Sequence, residues 1–275
     1  MATITETTIT PNKDLLPVSN SAWNDNAGFW DAVLGDDGDL FWQALQEPCL
    51  SRLLGDRLAS HRAQETPCRA LDLSTGNGLC ARWLAARGAL VTATDVSEAF
   101  LEQAQERCAA DGRITFGKLD VTDEADFEPF VEQAAAIGGF DIILINMAMQ
   151  DLGTLDPLAK SLPKLLKKDG MFVSQMLHPV FRTSGHSKSL EFSFDPATGD
   201  RVVTRGKLIK DYLHIMFHRP LHQLFGAFFK YGLVMDALEE PTFTEEHGDP
   251  KRVELTRNFT QLPAAIAFRL RRADH

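Results

Sequence analysis

The stretch from Cys68 to Ala99 constrains the fold of this chain more than any other part. A short apolar run that starts at Cys68 ends in an acid and leads into a turn with two glycines. Apolar residues at helical spacing follow, and a second apolar run ends at Asp95. Strand, tight turn, helix and strand in this order predict the start of an open parallel α/β sheet. The turn and the end of the second strand would meet at one edge of that sheet and form a nucleotide-like site.

An acidic residue beside the glycine turn distinguishes between two classes of ligand that this turn could bind. The segment Gly76-Asn77-Gly78-Leu79-Cys80-Ala81 matches the G-x-G-x-x-A pattern, in which a dinucleotide pyrophosphate lies on the helix N-terminus. Asp72 precedes Gly76 by four residues, and its carboxylate would repel a pyrophosphate. It would attract a ligand that carries an ammonium and a sulfonium group, as S-adenosylmethionine does. Gly76 and Gly78 would let the backbone lie against this ligand, and Asp95 could accept hydrogen bonds from both ribose hydroxyls.

The segment Asp72-Leu-Ser-Thr-Gly76-Asn-Gly78 resembles the first motif of class I S-adenosylmethionine-dependent methyltransferases, D/E-x-G-x-G-x-G, with Ser74 at the first glycine. The resemblance extends from Trp23 to the end of the chain and is to enzymes that act on small molecules. It implies a doubly wound, mostly parallel sheet of seven strands, one of them antiparallel, and methyl transfer from S-adenosylmethionine. The cofactor-binding residues that it implies are Asp72, Ser74, Gly76, Asn77, Gly78, Asp95, Val96, Asp120, Val121, Asn146 and Met147.

The N-terminal part of the chain divides at about residue 20. Residues 1–20 are rich in Thr and show no apolar period, which predicts a flexible tail before a methyltransferase domain of residues 21–275. A segment with Trp23, Phe29 and Trp30 follows. The resembled family often begins with such a helix folded over the cofactor, which implies that Trp23 and Trp30 contact substrate. The alternative is that these aromatic residues belong to the core.

The segment from Phe140 to Asn146 is strongly apolar, as expected of a central strand in a parallel sheet. The family places its methyl acceptor beside the residues that follow, which implies substrate contacts for Met149 and Gln150. Enzymes of this family that methylate nucleic-acid amino groups carry an Asn-Pro-Pro-Tyr-like tetrad here. This chain lacks its prolines and its aromatic residue, and a formal net charge of −10 also disfavours a nucleic-acid partner.

A fifth predicted strand, beginning at Met171, delivers His178-Pro179-Val180-Phe181 to the edge of the site. Related small-molecule enzymes often have a similar turn. His178 is a candidate catalytic base or substrate-orienting group, because an imidazole titrates near neutral pH. A structural role for this histidine is the alternative. Phe181 is a candidate substrate contact.

Residues 182–218 interrupt the expected strand and helix pattern. Alternating segments at Leu190–Phe194 and Arg201–Thr204, separated by a turn, predict a hairpin. We expect this insertion to form a small cap over the acceptor pocket, with His218 as a substrate contact. The alternative is that its histidines and aromatic residues pack as a satellite core.

The remaining composition points to an ordinary intracellular enzyme. Four scattered cysteines form no C-x-x-C pair, which favours a reducing compartment and predicts no metal site. The sequence shows neither a signal peptide nor an apolar run of membrane length. We therefore expect a cytoplasmic protein with a small-molecule substrate, without nucleic-acid or membrane partners, and of undetermined oligomeric state.

Three functions stay open at this point. The first is methyl transfer to an O, N, S or C atom of a small molecule. The second is a protein that binds S-adenosylmethionine and catalyses a non-methylating reaction, for example a pericyclic one. The third is a nicotinamide oxidoreductase, which Asp72 disfavours.

Overall fold

The computed structural model describes residues 12–180, 189–194, 201–209, 212–247, 260 and 262–274. Its α-helices are α1 (Asn12–Leu34), α2 (Glu47–Ala63), α3 (Leu79–Ala86), α4 (Glu98–Cys108), α5 (Glu128–Ile137), α6 (Asp156–Leu165) and α7 (Leu221–Phe229). A π-helical turn (Trp42–Gln46) precedes α2, and 3₁₀ turns cover Ala125–Phe127, Met149–Asp151 and Glu245–His247. None of the helices in these ranges combines the length and apolarity that a membrane crossing needs.

The strands are β1 (Cys68–Leu73), β2 (Ala89–Asp95), β3 (Ile114–Lys118), β4 (Phe140–Asn146), β5 (Leu166–Leu177), β6 (Ser189–Phe194), β7 (Arg201–Ile209), β8 (Tyr212–His218), β9 (Leu233–Glu239) and β10 (Ala265–Arg272). Seven of them form one sheet in the order β3-β2-β1-β4-β5-β10-β9. Strand β10 runs antiparallel to both of its neighbours, and the other pairings along the sheet are parallel. The predicted seven-stranded, mostly parallel sheet is confirmed.

Helices cover both faces of this sheet, which explains why its central strands are apolar throughout. Ile142 and Leu144 of β4 belong to the cluster formed with α2 and α3, whereas Ile143 and Ile145 belong to the cluster formed with α5, α6 and α7. Successive side chains of a strand point to opposite faces, so a strand buried on both faces has no polar alternation. This doubly wound arrangement leaves the carboxyl ends of the strands as the place for a site.

The predicted tail differs from the structure, because α1 already begins at Asn12. Residues 1–11 of that predicted tail lie outside the described residues. Helix α1 packs against α4 and β8. Polar side chains make several of its contacts with the domain, as described below.

The predicted hairpin is present as β6 paired antiparallel with β7, and β8 adds a third strand on the far side of β7. Strand β8 packs against α1 and against the 3₁₀ turn Met149–Asp151. The insertion therefore reaches the carboxyl edge of the large sheet. Phe181 and residues 182–188, 195–200 and 210–211 of the expected cap lie outside the described part of the chain.

Candidate ligand-binding site

A cavity of about 350 Å³ lies at the carboxyl ends of the strands, where the strand order reverses between β1 and β4. Open α/β sheets bind ligands at such a switch point. Residues from α1, the π-helical turn and β8 complete the walls. Among the predicted site residues, the lining includes Asp72, Ser74, Gly76, Asn77, Asp95, Val96, Asp120, Val121, Asn146 and Met147, together with Trp23, Trp30 and Gln150.

The turn after β1 has three residues in the left-handed region, Ser74 (φ 53°), Gly76 (φ 56°) and Gly78 (φ 79°). Gly76 lines the cavity, and an added Cβ there would lie 3.9 Å from Phe100 Cε1. Left-handed backbone is strained for residues with a Cβ. Ser74 adopts this conformation at the position where the family motif has glycine, so the turn keeps its shape under local strain.

Gly78 is placed differently from the prediction, because it does not line the cavity. A Cβ at Gly78 would lie 3.1 Å from Cys108 Sγ and 3.2 Å from Ala104 Cβ. The glycine therefore serves the close approach of the turn to α4, and the prediction of a cofactor contact is replaced by a packing role.

Asp72 is a buried carboxyl group at the end of β1. Thr75 Oγ1 donates a hydrogen bond to Asp72 Oδ2 at 2.5 Å. Burial raises the pKa of Asp72 to about 7, the hydrogen bond from Thr75 opposes this shift, and the nearby Asp95 adds to it. A cationic ligand beside Asp72 would restore the ionised form.

Asp95 is the last residue of β2, and it links the glycine turn after β1 to the N-terminus of α4. Its Oδ2 accepts the backbone N–H of Gly76 at 2.9 Å, and its Oδ1 accepts that of Ser97 at 2.9 Å. Burial raises the pKa of Asp95 to about 6, and these backbone hydrogen bonds limit the shift. Each carboxylate oxygen keeps a lone pair for a further donor.

Asp120, after β3, lies under the N-terminal helix. Its Oδ1 accepts the backbone N–H of Thr122 at 2.9 Å and the Thr122 hydroxyl at 2.6 Å. Its Oδ2 accepts a hydrogen bond from Asn20 Nδ2 of α1 at 2.9 Å. Asn20 thus closes the cavity over the end of β3.

Asn77 fixes the other end of α1 against the glycine turn. Its Nδ2 donates to Asp31 Oδ1 and to the Gly35 carbonyl, both at 3.1 Å. Asp31 also pairs with Arg107 of α4, with 2.5 Å between Nε and Oδ1, and this hydrogen bond lowers the pKa of Asp31. Asn77 lines the cavity and at the same time positions α1.

The aromatic residues of α1 form part of the cavity wall. The ring centroids of Trp23 and Trp30 are 6.2 Å apart, and Trp23 lies 6.4 Å from Phe100 of α4. All three side chains line the cavity. The two tryptophans are half-buried, so they cover the site as well as pack against α4.

The segment after β4 turns sharply at Met147, whose φ is 57°. The backbone N–H of Met147 donates to the Gln175 carbonyl of β5 at 2.7 Å. Asn146 Nδ2 donates to Gln46 Oε1 of the π-helical turn at 2.7 Å. Sequence reasoning missed Gln46, because nothing in the sequence around it indicates that this helix reaches the end of β4.

Met149 does not line the cavity, contrary to the prediction. Its side chain is fully buried in the core, and its Sδ lies 2.8 Å from Ser174 Oγ. The 3₁₀ turn that places Gln150 in the cavity points Met149 in the opposite direction. Met149 is therefore a core residue.

His178 and His218 lie beside the main cavity. They line an adjoining pocket of about 30 Å³ that shares Gln150, Leu177 and Met216 with the wall of the main cavity. His178 Nδ1 accepts the backbone N–H of Val180 at 3.2 Å, so Nε2 carries the proton that is shared with Glu240 Oε1 at 2.8 Å. Both ring nitrogens are engaged, and the side chain is buried. These two contacts hold the ring in place, and the base role of His178 stays a prediction.

Several wall residues were not predicted. Thr75 and Asp151 adjoin predicted residues and could have been found from that proximity. Asn20, Gln46 and Met216 come from segments that carry no motif, so only the folded chain brings them to the site. The other additional wall residues are Leu34, Asp39, Phe41, Leu79, Cys80, Phe100, Leu119, Thr122, Ala148, Leu152 and Leu177.

A group of side chains that could bind a metal ion lies at the opposite edge of the sheet, where β1 and β4 begin. Ligand atoms of His61, Cys68 and Asp141 lie within 4.8 Å of one another. The Asp141 carboxylate already binds Lys167 Nζ at 2.6 Å and the backbone N–H of Arg69 at 2.8 Å. An ammonium group so close to the carboxylate satisfies it as an ion pair, so this group has a structural explanation.

Comparison with known proteins agrees with this architecture. A family of methyltransferase domains matches residues 71–172. Demethylmenaquinone methyltransferase from Clavibacter sepedonicus is 28% identical over 174 residues, which cover 63% of this chain and 55% of that protein. The chain therefore spans only about half the length of this relative.

Solved structures share the fold along most of the chain. An S-adenosylmethionine-dependent methyltransferase from Mesorhizobium loti has a TM-score of 0.55 at 21% identity and covers 75% of this chain and 91% of its own. The 1,6-didemethyltoxoflavin-N1-methyltransferase from Burkholderia thailandensis has a TM-score of 0.58 at 14% identity, with 98% and 94% covered. With the sheet order, these structures show that the chain has the fold of S-adenosylmethionine-dependent methyltransferases, and residues 71–172 match a methyltransferase domain family.

Proposed function

We propose that this chain transfers a methyl group from S-adenosylmethionine to a small organic molecule. The charge of the cavity is the observation that carries this proposal. The described lining has five carboxylates and no Lys, Arg or His side chain; the five are Asp39, Asp72, Asp95, Asp120 and Asp151. Such a wall favours a cationic ligand and disfavours a pyrophosphate, which argues against a dinucleotide.

The residues at the strand ends fit this cofactor. When bound, S-adenosylmethionine supplies a methyl group on a positively charged sulfur. Asp72 would hold its ammonium group, and Asp95 would accept the ribose hydroxyls with the lone pairs that its two backbone partners leave. Asp120 would accept a hydrogen bond from the adenine amino group, as the family resemblance implies. A side chain at Gly76 would occupy part of the cavity and leave less room for the cofactor. The protein atom nearest to an added Cβ there would be Phe100 Cε1, at 3.9 Å.

The contribution of the chain is positioning and the exclusion of water. Two aromatic side chains of α1, Trp23 and Trp30, cover the cavity, and β8 contributes Met216 to its wall. Reactants held in a productive orientation can reach effective molarities of about 10⁵ to 10⁸ M. No His or Lys of the described wall is placed to act as a base. The proposed acceptor is either nucleophilic when it binds or is activated by one of the wall carboxylates.

Calorimetry with the full chain tests the binding part of this proposal. S-adenosylmethionine should bind, and NADH should not. Asp72→Asn should weaken binding by about tenfold or more, because a buried ion pair is lost. The matched control Asp56→Asn removes an exposed carboxylate on α2 and should bind as the parent does. Equal binding of NADH would contradict the proposal.

Turnover with a metabolite extract tests the transfer part. Formation of S-adenosylhomocysteine together with a product heavier by one methyl group supports methyl transfer. Tight cofactor binding combined with a new product of unchanged mass would instead support the non-methylating alternative, in which a fixed sulfonium stabilises a rearranging substrate.

A further inference from the structure

A small pocket adjoins the main cavity near the ends of β5 and β8. Gln150, Leu177 and Met216 belong to the walls of both. The remaining residues of its described wall are Met176, His178, Pro179, Phe217, His218 and Arg219. The sheet order places β5 beyond β4, on the opposite side of the switch point from β1, β2 and β3. The pocket therefore lies away from the strand ends that carry Asp72, Asp95 and Asp120.

Arg219 brings a permanent positive charge to the wall of this pocket. Its side chain is half-buried, and its Nη2 donates to the Leu152 carbonyl at 2.7 Å. Leu152 lines the main cavity, so this hydrogen bond holds the guanidinium at the border between the pocket and the cavity. Among the described residues that carbonyl is the partner of Arg219, and the other N–H donors of the guanidinium are left for a ligand.

No described carboxylate forms an ion pair with this guanidinium. Burial lowers the pKa of Arg219 to about 10, and no negative charge of the described chain opposes that shift. Glu240 contacts the pocket wall through His178 Nε2, at 2.8 Å, but does not itself line the pocket. A cation that is withdrawn from water needs a counter-ion. A ligand with a negative charge would supply it at this position.

The pocket and the main cavity differ in charge and in size. The described wall of the main cavity holds five carboxylates and no Lys, Arg or His, whereas that of the pocket holds a guanidinium and neither Asp nor Glu. The pocket measures about 30 Å³. A water molecule needs about 10 to 15 Å³ on this measure, so the space is that of about two waters. The two oxygens of a carboxylate match this size.

We propose that the methyl acceptor carries a carboxylate group, which Arg219 binds in the small pocket. The inference rests on the methyl transfer proposed above and names the class of its substrate. A planar guanidinium fits a carboxylate with two parallel hydrogen bonds. The carboxylate anchors the molecule, and a different atom of it, in the main cavity, receives the methyl group. The lone pair of that atom forms the new bond to carbon, the C–S electron pair stays on sulfur, and a proton on the attacking atom leaves to water.

Two probes of the same shape test the preference for a carboxylate. The full chain, loaded with S-adenosylhomocysteine to prevent turnover, is titrated by calorimetry with phenylacetate and with its neutral amide, phenylacetamide. We expect phenylacetate to bind at least about tenfold more tightly. Equal binding, tighter binding of the amide, or no measurable binding of either probe would overturn the proposal without any variant.

Variants of Arg219 assign this preference to its guanidinium. Arg219→Gln should abolish the preference, because the new side chain is neutral yet still has an N–H for the Leu152 carbonyl. Arg219→Lys should keep part of it, since the charge remains and the paired donors are lost. The control Arg62→Gln removes an exposed arginine of α2 and should bind both probes as the parent does. A folded Arg219→Gln that keeps the full preference would contradict the assignment.

Transfer of a deuterated methyl group separates this inference from the proposal on which it rests. The full chain is incubated with methyl-labelled S-adenosylmethionine and a metabolite extract, and labelled products are analysed by mass spectrometry and NMR. A product with a free carboxylate and the label on another atom supports the anchor. A labelled methyl ester, or a labelled product without a carboxylate, overturns the anchor and leaves methyl transfer intact. No labelled product and no S-adenosylhomocysteine would overturn methyl transfer itself.

Kinetics with the acceptor identified in this way distinguish binding from a purely structural role of Arg219. Arg219→Gln should raise KM for the acceptor by about tenfold or more, because an anchor contributes equally to substrate and transition-state binding. The turnover rate at saturation should stay within about fivefold of the parent rate, and the affinity for S-adenosylmethionine should not change. An unchanged KM for the acceptor, or an equal loss of cofactor affinity, would overturn the proposal.

Discussion

Asn20 and Asp120 are 100 residues apart in the sequence, yet Asn20 Nδ2 donates to Asp120 Oδ2 at 2.9 Å. Two further residues of α1 make equivalent contacts. Asn24 Oδ1 accepts from Ser97 Oγ at 3.2 Å, and Asp31 accepts from Asn77 at 3.1 Å. One helix is thereby fastened to the loops after β1, β2 and β3. Because α1 also forms the wall over these loops, we expect it to close over a bound ligand.

Hydrogen exchange should report this closure. We expect amide exchange in Trp23–Leu34 to slow when S-adenosylmethionine binds, because a ligand under α1 stabilises its closed position. Asn24→Ala removes the hydrogen bonds to Ser97 Oγ and to the backbone N–H of Ala99. At about 1 kcal/mol each, their loss should speed exchange in α1 by about tenfold or more. Unchanged exchange on ligand addition would show that α1 belongs permanently to the core.

The carboxylate of Asp95 should contribute strongly to cofactor affinity. Asp95→Ala removes the proposed acceptor of two ribose hydrogen bonds, each worth about 1.5 to 3 kcal/mol for a charged group. Asp95→Asn keeps one acceptor oxygen and should bind with intermediate affinity. Calorimetry provides the measurement, and circular dichroism must show that both variants fold, because Asp95 also holds the backbone of Gly76 and Ser97. An affinity equal to that of the parent would place the ribose elsewhere.

The fold could be predicted because its signals are local. An apolar run, an acid, a glycine turn and a helix follow one another within Cys68–Ala86, and each strand end carries its own polar residue. Parallel strands bring their carboxyl ends to one edge, so the sequence order of Asp72, Asp95 and Asp120 already places them together.

The covering elements could not be predicted in the same way. Helix α1 is fastened to the domain partly through single polar side chains such as Asn20 and Asn24, and the sequence does not indicate their partners. His178 ends a central strand next to the cavity, as expected, but its direction depends on Glu240, which comes from a distant segment. Gly78 looks like a ligand contact in the motif, whereas α4 packs against it. In each case the deciding partner is remote in sequence.

The stability of the ligand-free chain should fall as pH rises through the pKa values of its buried carboxyl groups. Burial raises the pKa of Asp72 to about 7 and that of Asp95 to about 6, from 3.8. The folded chain therefore binds these protons more tightly than the unfolded chain does. Their contribution to the free energy of unfolding is fully present below pH 3.8 and is lost as pH rises through 6 to 7.

Thermal unfolding between pH 5 and 8 measures this effect. The melting temperature of Asp72→Asn should depend less on pH than that of the parent, because one titrating group is gone. Affinity for S-adenosylmethionine should rise over the same interval, since the cation pairs with the ionised carboxylates. If the parent chain instead gains stability relative to Asp72→Asn between pH 5 and 8, the raised pKa of Asp72 is contradicted.

Ser74 offers a test of strain in the turn. Its φ of 53° lies in the left-handed region, where a residue with a Cβ is disfavoured by about 1 to 2 kcal/mol. Glycine relieves this strain, but it also loses more conformational entropy on folding, which offsets part of the gain. We therefore expect Ser74→Gly to raise the free energy of unfolding by about 0.5 to 1 kcal/mol. Ser60→Gly, in the right-handed backbone of α2, should lower it instead. Chemical denaturation checks both signs, and a destabilised Ser74→Gly would show that the hydroxyl has a structural role.

His178 should stabilise the fold without taking part in the chemistry. Its two ring nitrogens contact Val180 and Glu240, so His178→Ala should lower the free energy of unfolding by about 1 to 3 kcal/mol. Loss of a general base slows turnover by a factor of about 10² to 10⁴. We expect the turnover rate of His178→Ala at saturating substrates to stay within about tenfold of the parent rate.

Two further variants complete the test of His178. Glu240→Gln should show a smaller loss of stability, and its effect should nearly vanish when His178 is already replaced, since the two residues share one contact. The exposed His222→Ala on α7 serves as the control for both stability and turnover. If turnover of His178→Ala instead drops about a hundredfold or more while its stability is unchanged, the base role that the sequence predicts is supported.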